Sequence, residues 1–285
     1  MKKIRIGDSL FDLDNKTLIM GILNVTPDSF YDGGFYSSLD DAINHAIEME
    51  HDGADIIDIG GESTRPRSKY VSLYTEMSRV IPIIEELIKK IKIPISIDTY
   101  KSAVAEKALD LGVGMINDIT ALRMDKNLGK IISKYEVPVC LMHMKGTPIN
   151  MQKNPTYQDV MDEIKDFLKD RISYAISCGI RKENIIIDPG LGFGKRTGDG
   201  IEDNIEIINR LSELKEFDVP ILIGASRKTF IGNVYGKEKQ LPLNDRLQGS
   251  LEIAVEAVKN GANIVRVHDV KETRIAIDNI DCNIG

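Results

Sequence analysis

Eight short apolar runs, each followed by a polar loop and then by an amphipathic stretch, limit what this chain can fold into more than any other feature. The runs occupy residues 18–23, 56–59, 93–97, 113–116, 137–142, 185–187, 219–223 and 264–267. They are apolar at consecutive positions, as parallel strands are when both faces of their sheet are covered. Helical stripes follow. Ala42, Ile43, Ala46, Ile47 and Met49 form one, with Ser38 and Asp41 as a capping signature at its start and Gly53 at its end. Val80, Ile84, Leu87 and Ile88 form the next, with Pro82 expected to kink or break it. Val104, Ala105, Ala108 and Leu109 form a third, and the longest covers residues 157–177 and stops at Gly179. Further helices are expected near residues 127–135, 202–215, 245–260 and 271–279. Eight such units within 285 residues favour a closed (β/α)8 barrel of the TIM type over an open doubly wound sheet. The reading is a single domain spanning residues 1–285. The opening segments Lys3-Ile4-Arg5-Ile6 and Leu10-Phe11-Asp12-Leu13 alternate like a short β-hairpin, placed to plug the bottom of the barrel.

Reacting groups in such barrels lie at the C-terminal ends of the strands. In strand order those ends carry Asn24 with Thr26-Pro27-Asp28-Ser29, then Gly60-Gly61-Glu62-Ser63-Thr64-Arg65-Pro66, Asp98-Thr99 and Asn117-Asp118. They continue with Met142-His143-Met144, Asp188-Pro189-Gly190, Ser226-Arg227-Lys228 and Arg266-Val267-His268-Asp269. Any one of these reads as a helix cap or a satisfied strand end; a polar group at nearly every strand end reads as a binding rim. Asp98, Asn117 and Asp188 suit a flat heterocycle with an amino-amide edge, because a carboxylate accepts two parallel N–H bonds. Arg65, Arg266 and His268, with Ser226 and Thr64, suit a diphosphate. The run Gly190-Leu191-Gly192-Phe193-Gly194-Lys195 has the wrong spacing for a P-loop or a dinucleotide fingerprint. It suits a sharp turn or a close approach of backbone to ligand. Lys195 receives no role from the sequence.

Charge and cysteines narrow the partners. A net charge of -7 argues against a general nucleic-acid or anionic-membrane surface, while a local basic pocket remains compatible with it. No apolar stretch is long enough to span a bilayer, and Met1-Lys2-Lys3-Ile4-Arg5 lacks the apolar core of a secretory signal. Cys140, Cys178 and Cys282 match no zinc or redox spacing, and Cys140 lies in an apolar run as a small core residue. The expectation is a cytoplasmic enzyme acting on small molecules.

At these same residues the chain resembles the dihydropteroate synthase family. The matching segments are Met20-Gly21-Ile22-Leu23-Asn24-Val25-Thr26-Pro27-Asp28-Ser29-Phe30, Gly53-Ala54-Asp55-Ile56-Ile57-Asp58-Ile59-Gly60-Gly61-Glu62-Ser63-Thr64-Arg65-Pro66, Ile97-Asp98-Thr99, Ile116-Asn117-Asp118 and Met142-His143-Met144. Beyond them come Asp188-Pro189-Gly190-Leu191-Gly192-Phe193-Gly194-Lys195, Gly224-Ala225-Ser226-Arg227-Lys228 and Ile264-Val265-Arg266-Val267-His268-Asp269. The resemblance implies a barrel enzyme of folate biosynthesis and a target of sulfonamides. Its reaction joins 6-hydroxymethyl-7,8-dihydropterin diphosphate to p-aminobenzoate. By that resemblance Asp98, Asn117, Asp188 and Lys228 hold the pterin, and Asn24, Thr64, Arg65, Arg266 and His268 meet the diphosphate. Asn24 is the implied Mg²⁺ ligand, and p-aminobenzoate lies near Thr64, Pro66, Phe193, Ser226 and Lys228. Asp98, Asp188, Lys228 and Arg266 are the implied catalytic set, and a homodimer is the implied assembly. Arg67 stands where the family usually has a small residue, and Leu191 where an aromatic is common. The nearest rival is a pterin-binding methyltransferase that passes a methyl group from methyltetrahydrofolate to a corrinoid. It has no diphosphate to hold, so Ser226-Arg227-Lys228 and Arg266-Val267-His268 favour the synthase.

Overall fold

The structure, a computed structural model, describes residues 2–25, 39–63, 68, 70–198, 201–236 and 240–284. A hairpin comes first, β1 (Lys3–Ile6) paired antiparallel with β2 (Ser9–Asp12). The barrel then runs β3 (Leu18–Asn24), α1 (Leu39–His51), β4 (Ile56–Gly60), α2 (Leu73–Lys90), β5 (Ile95–Asp98), α3 (Ser102–Asp110), β6 (Met115–Asp118) and α4 (Leu128–Tyr135). It continues with β7 (Val139–Met142), α5 (Val160–Ser177), β8 (Ile185–Asp188), a two-residue hairpin β9 (Thr197–Gly198) and β10 (Ile201–Glu202), and α6 (Asp203–Asn209). The last elements are β11 (Leu222–Ile223), α7 (Thr229–Tyr235), α8 (Leu247–Lys259), β12 (Ile264–Val267) and α9 (Val270–Ile284). Eight parallel strands lie in the order β11-β12-β3-β4-β5-β6-β7-β8, and a parallel bridge between Ile187 and Ile221 closes the ring. The strand at that seam is short because Pro220, inside the apolar run, has no N–H for the ladder; its carbonyl still accepts from Ile187 N at 3.0 Å.

Each strand sends alternate residues inward and outward. Outward residues such as Ile57, Ile59, Ile97, Ile116, Leu141, Ile187 and Val265 join the helices in the main core. Inward residues Leu18, Met20, Ile56, Met115, Cys140, Ile186, Leu222 and Ile264 form a separate cluster with Ile4, Ile6 and Leu13. The hairpin therefore plugs the lower end of the barrel, and Cys140 is a core residue as expected. Two residues further along β4, β6, β8 and β12 the inward positions are Asp58, Asn117, Asp188 and Arg266, and Asp98 ends β5 in register with Asn117.

Three helical expectations are refined. Pro82 neither ends nor interrupts α2. A proline in a helix interior costs about 3 kcal/mol, but here it sits on the exposed face, and so does Ser78, whose carbonyl finds no N–H at position 82. On the opposite face Val80, Ile83, Ile84 and Leu87 are fully buried and hold the helix to the barrel. The helix expected over residues 202–215 divides: Glu202 is in β10, α6 ends at Asn209, and a 3-10 helix spans Leu211–Phe217. Leu211 and Leu214, three apart and both buried, fall on one face at three residues per turn. The helix expected from residue 245 begins as a 3-10 turn, Leu243–Arg246, before α8. The capping signature at Ser38 lies outside the described residues.

Candidate active site

The upper interior of the barrel is a connected polar floor. Arg266 Nε donates to Asp58 Oδ2 at 2.6 Å and Nη2 donates to Asp98 Oδ2 at 3.0 Å. Asn117 Nδ2 donates to the same Asp58 oxygen at 2.9 Å. Asp58 is completely buried, and its other oxygen, like Ser96 Oγ beside it in register, has no hydrogen-bond partner among the described residues. Burial pushes the Asp98 carboxyl up to about 7, against the pull of Arg266, with Asp58 and Glu76 adding to the rise. Burial also works against the Arg266 cation, but the Asp58 and Asp98 carboxylates outweigh it and hold its pKa above the usual value. Arg266 Nη1 is engaged by no described group.

The wall beside this floor comes from the ends of β8 and β11. Asp188 Oδ1 accepts from Gly190 N at 2.7 Å, and burial raises its pKa against Lys228 and that hydrogen bond. Lys228 Nζ donates to the Leu191 carbonyl at 2.5 Å and lies 4.5 Å from the centroid of the Phe193 ring. Burial lowers Lys228 to about 8, with Asp188 opposing. Ser226 Oγ and His268 Nδ1 are 3.0 Å apart, and His268 N donates to the same hydroxyl at 3.2 Å. Between Ser226 and Lys228 the chain turns through Arg227, which takes a left-handed φ of 56°. Such a φ is uncommon in a residue with a side chain; here Arg227 N donates to Ser250 Oγ at 2.9 Å, Arg246 Nη1 donates to the Arg227 carbonyl at 3.0 Å, and the Arg227 guanidinium pairs with Asp269.

Two strands from β11 around the ring, Asn24 ends β3. Its Oδ1 lies 3.4 Å, and Asp98 Oδ2 3.7 Å, from where a Cβ on Gly60 would sit, so the missing side chain of Gly60 leaves space between them. Among the described residues no group of three or more His, Cys, Asp or Glu side chains is placed to hold a metal ion. Ile119, Met142, Met144 and Met151 form a small apolar cluster, joined by Phe193. Thr64, Arg65, Pro66 and Arg67, and the segment Thr26-Pro27-Asp28-Ser29, lie outside the described residues.

The family profile of the pterin binding enzymes matches residues 20–268. A dihydropteroate synthase of Clostridium beijerinckii is 45% identical over 270 residues, covering 94% of this chain and 95% of that protein. The chain belongs to the dihydropteroate synthases. Among solved structures of this family, that of Yersinia pestis dihydropteroate synthase in complex with a sulfonamide drug superposes with a TM-score of 0.91 at 41% identity, covering 99% of this chain and 98% of that one. The Xanthomonas albilineans dihydropteroate synthase in complex with 7,8-dihydropteroate gives a TM-score of 0.86 at 37% identity, covering 99% of both chains.

Set beside the sequence reading, this dihydropteroate synthase fold brings Asp98, Asn117, Asp188, Lys228, Arg266, Ser226, His268 and Phe193 to one end of the barrel. It also shows what that reading missed. Asp58, hidden inside an apolar run, is the shared acceptor of Arg266 and Asn117; a lone acid two residues before a strand-end glycine was its signal. Lys101 pairs with both Glu62 and Glu76, Thr99 Oγ1 donates to Glu76 at 2.6 Å, and Val71 N donates to Glu62 at 3.1 Å. One carboxylate thus ties both flanks of the segment holding Thr64, Arg65 and Pro66. Leu191, an aliphatic where an aromatic is common, is buried in the main core, and its carbonyl meets the site.

Proposed function

We propose that the polar end of the barrel binds 6-hydroxymethyl-7,8-dihydropterin diphosphate and p-aminobenzoate and joins them to 7,8-dihydropteroate with release of diphosphate, the dihydropteroate synthase reaction of folate biosynthesis. The observation that carries this is the convergence of Asp58, Asp98, Asn117 and Arg266 with Asp188 and Lys228 at one end of a barrel whose other end is sealed by apolar side chains. The pterin's amino-amide edge meets Asp98, Asn117 and Asp188, and its flat face meets the methionine-rich apolar cluster. Asp58 fixes the Arg266 and Asn117 side chains so that they are aimed before the ligand arrives, which spares reorganisation during reaction.

The carbon–oxygen bond to diphosphate breaks first, leaving positive charge on the pterin methylene and ring. Asp98 and Asp188 face that charge, and a nearby cation favours the ionised form of carboxyls that burial holds high. Arg266, His268, Ser226, Thr64 and Arg65 stabilise the departing diphosphate by charge-assisted hydrogen bonds. The amine of p-aminobenzoate, positioned near Thr64, Pro66, Phe193, Ser226 and Lys228, then attacks the carbon, and the anilinium so formed releases its extra proton to solvent; this weak base needs placement more than prior deprotonation. Asn24 fits a magnesium ion that takes a single protein oxygen, since Mg²⁺ keeps several waters and draws further ligands from phosphate. When bound, the ion neutralises charge on the diphosphate. Asp98, Asp188, Lys228 and Arg266 are the catalytic residues in this reading.

Purified protein incubated with the dihydropterin diphosphate, p-aminobenzoate and Mg²⁺ is expected to give dihydropteroate and diphosphate in equal amounts, resolved by chromatography, with loss of both on chelation. Binding of the pterin without product would contradict the synthase reading. We place the enzyme in the cytoplasm as a homodimer; a single-chain mass in sedimentation would remove the second point. No helix among the described residues is long and apolar enough to cross a membrane.

A further inference from the structure

The glycine run between Asp188 and Lys195 is built around an ammonium group that the proposed chemistry leaves unused. Gly190, Gly192 and Gly194 all take left-handed φ values, 71°, 78° and 63°. At Gly190 a Cβ would sit 1.9 Å from the His143 carbonyl oxygen, so only glycine allows the loop to lie this close to the end of β7. The alternating backbone throws successive carbonyls to different sides. Leu191 O points to Lys228 Nζ, Gly192 O accepts from Gln152 Nε2 at 2.7 Å, and Gly194 O accepts from the Tyr157 hydroxyl at 2.5 Å. Gly190 O and Phe193 O turn the other way and accept from Lys195 Nζ at 2.9 and 3.1 Å.

Lys195 is only 2% exposed, and its Nζ lies 3.0 Å from His143 Nδ1. Burial, with the Lys195 charge adding, keeps His143 neutral by pushing its pKa well down. Burial brings Lys195 itself down to about 7; Lys228 and Lys145 add to the fall, while Asp188 and Asp203 oppose it. The geometry serves either protonation state. An ammonium has three donors for two carbonyls and Nδ1; a neutral amine keeps two donors and turns its lone pair to an Nδ1–H.

We propose that Lys195 is a positioning residue for the reaction: by holding the Gly190 and Phe193 carbonyls inside the loop, it sets the Leu191 carbonyl and the Phe193 ring that place the Lys228 ammonium against the pterin. This rests on the reading of the rim as the pterin diphosphate site. Without Lys195 the Phe193 carbonyl loses its donor and the Gly190 carbonyl keeps only Phe193 N, at 3.0 Å, and the loop is expected to re-form around water or another donor, taking the Leu191 carbonyl with it.

The test is steady-state kinetics of Lys195→Met, which keeps the apolar stem and removes the donors, with rates expressed per folded enzyme and melting temperature measured alongside. The expected result is a rise of about tenfold or more in KM for the pterin diphosphate, with a smaller change in kcat. A fall in melting temperature with kinetic constants within about twofold of wild type would overturn the proposal, because that is the mark of a purely structural lysine. His143→Leu is the second variant, should Lys195→Met not fold. It removes the nitrogen facing Nζ and is expected to raise the same KM by a smaller factor; an unchanged KM there would also overturn the proposal. Wild-type turnover is read first: its absence would sink the synthase reading and this inference with it, whereas normal wild-type turnover with unchanged variants overturns the inference alone.

Discussion

The lower and upper halves of one barrel interior are two residues apart along the same strands, yet they do opposite work. Ile56, Met115, Ile186 and Ile264 pack below against the hairpin; Asp58, Asn117, Asp188 and Arg266, the next inward positions, make the floor of the site. The lower half is closed by apolar side chains. The upper half keeps a buried carboxylate oxygen and a serine hydroxyl without partners among the described residues. Such groups cost stability. One pleat therefore separates the residues that hold the barrel from those that use it.

Substitutions on either side of that line should separate cleanly. Arg266→Ala, in the upper half, is expected to lower kcat/KM by about a hundredfold to a thousandfold, with the far-ultraviolet circular dichroism of the barrel retained; an unfolded protein or near-normal turnover would contradict the division. Ile186→Ala, one inward step below Asp188, is expected to cost about 2–5 kcal/mol in denaturant unfolding and to leave kcat/KM per folded enzyme within about twofold. A large kinetic loss there would show that the halves are coupled.

The Asp98 carboxyl sharpens the comparison through pH. Its pKa is raised in the fold, from 3.8 to about 7, chiefly by burial. Between those values the folded protein holds a proton that the unfolded chain has lost, so this group makes stability fall as pH rises through the window and level off above it. Asp98→Asn should therefore gain on wild type in melting temperature from about pH 4 to about pH 7 and hold that gain above it. A difference independent of pH would show that Asp98 is not protonated in the fold. The smallest effect is expected of Ser226→Ala, which removes the hydroxyl beside His268: kcat/KM should fall by about threefold to tenfold, measured at saturating p-aminobenzoate.

The strands were legible because residues buried on both faces leave runs such as 93–97 and 137–142 with little else to be. The same property hid their inner pleat. When both faces are apolar, nothing in a run says which residues look inward, and Asp58 was passed over as part of one. Rim residues stood out because strand ends are where polarity returns, hence Asp98, Asn117, Asp188 and Arg266. Lys101 and Lys195 were not legible: a lysine in a polar loop reads as solvated, and only tertiary packing places one between two glutamates and the other under a glycine loop. The division of the helix near Arg210 was equally hidden, since leucines three apart serve an α-helix or a 3-10 helix alike.

The account stands or falls on where the pterin lies. A crystal structure of the protein with the dihydropterin diphosphate and Mg²⁺ tests this most directly. The account predicts the amino-amide edge of the ring on Asp98, Asn117 and Asp188, Lys228 beside it, the diphosphate toward His268 and Asn24, and the Asp58–Arg266 contact retained beneath. A pterin bound elsewhere, with that polar floor holding only water, would contradict it.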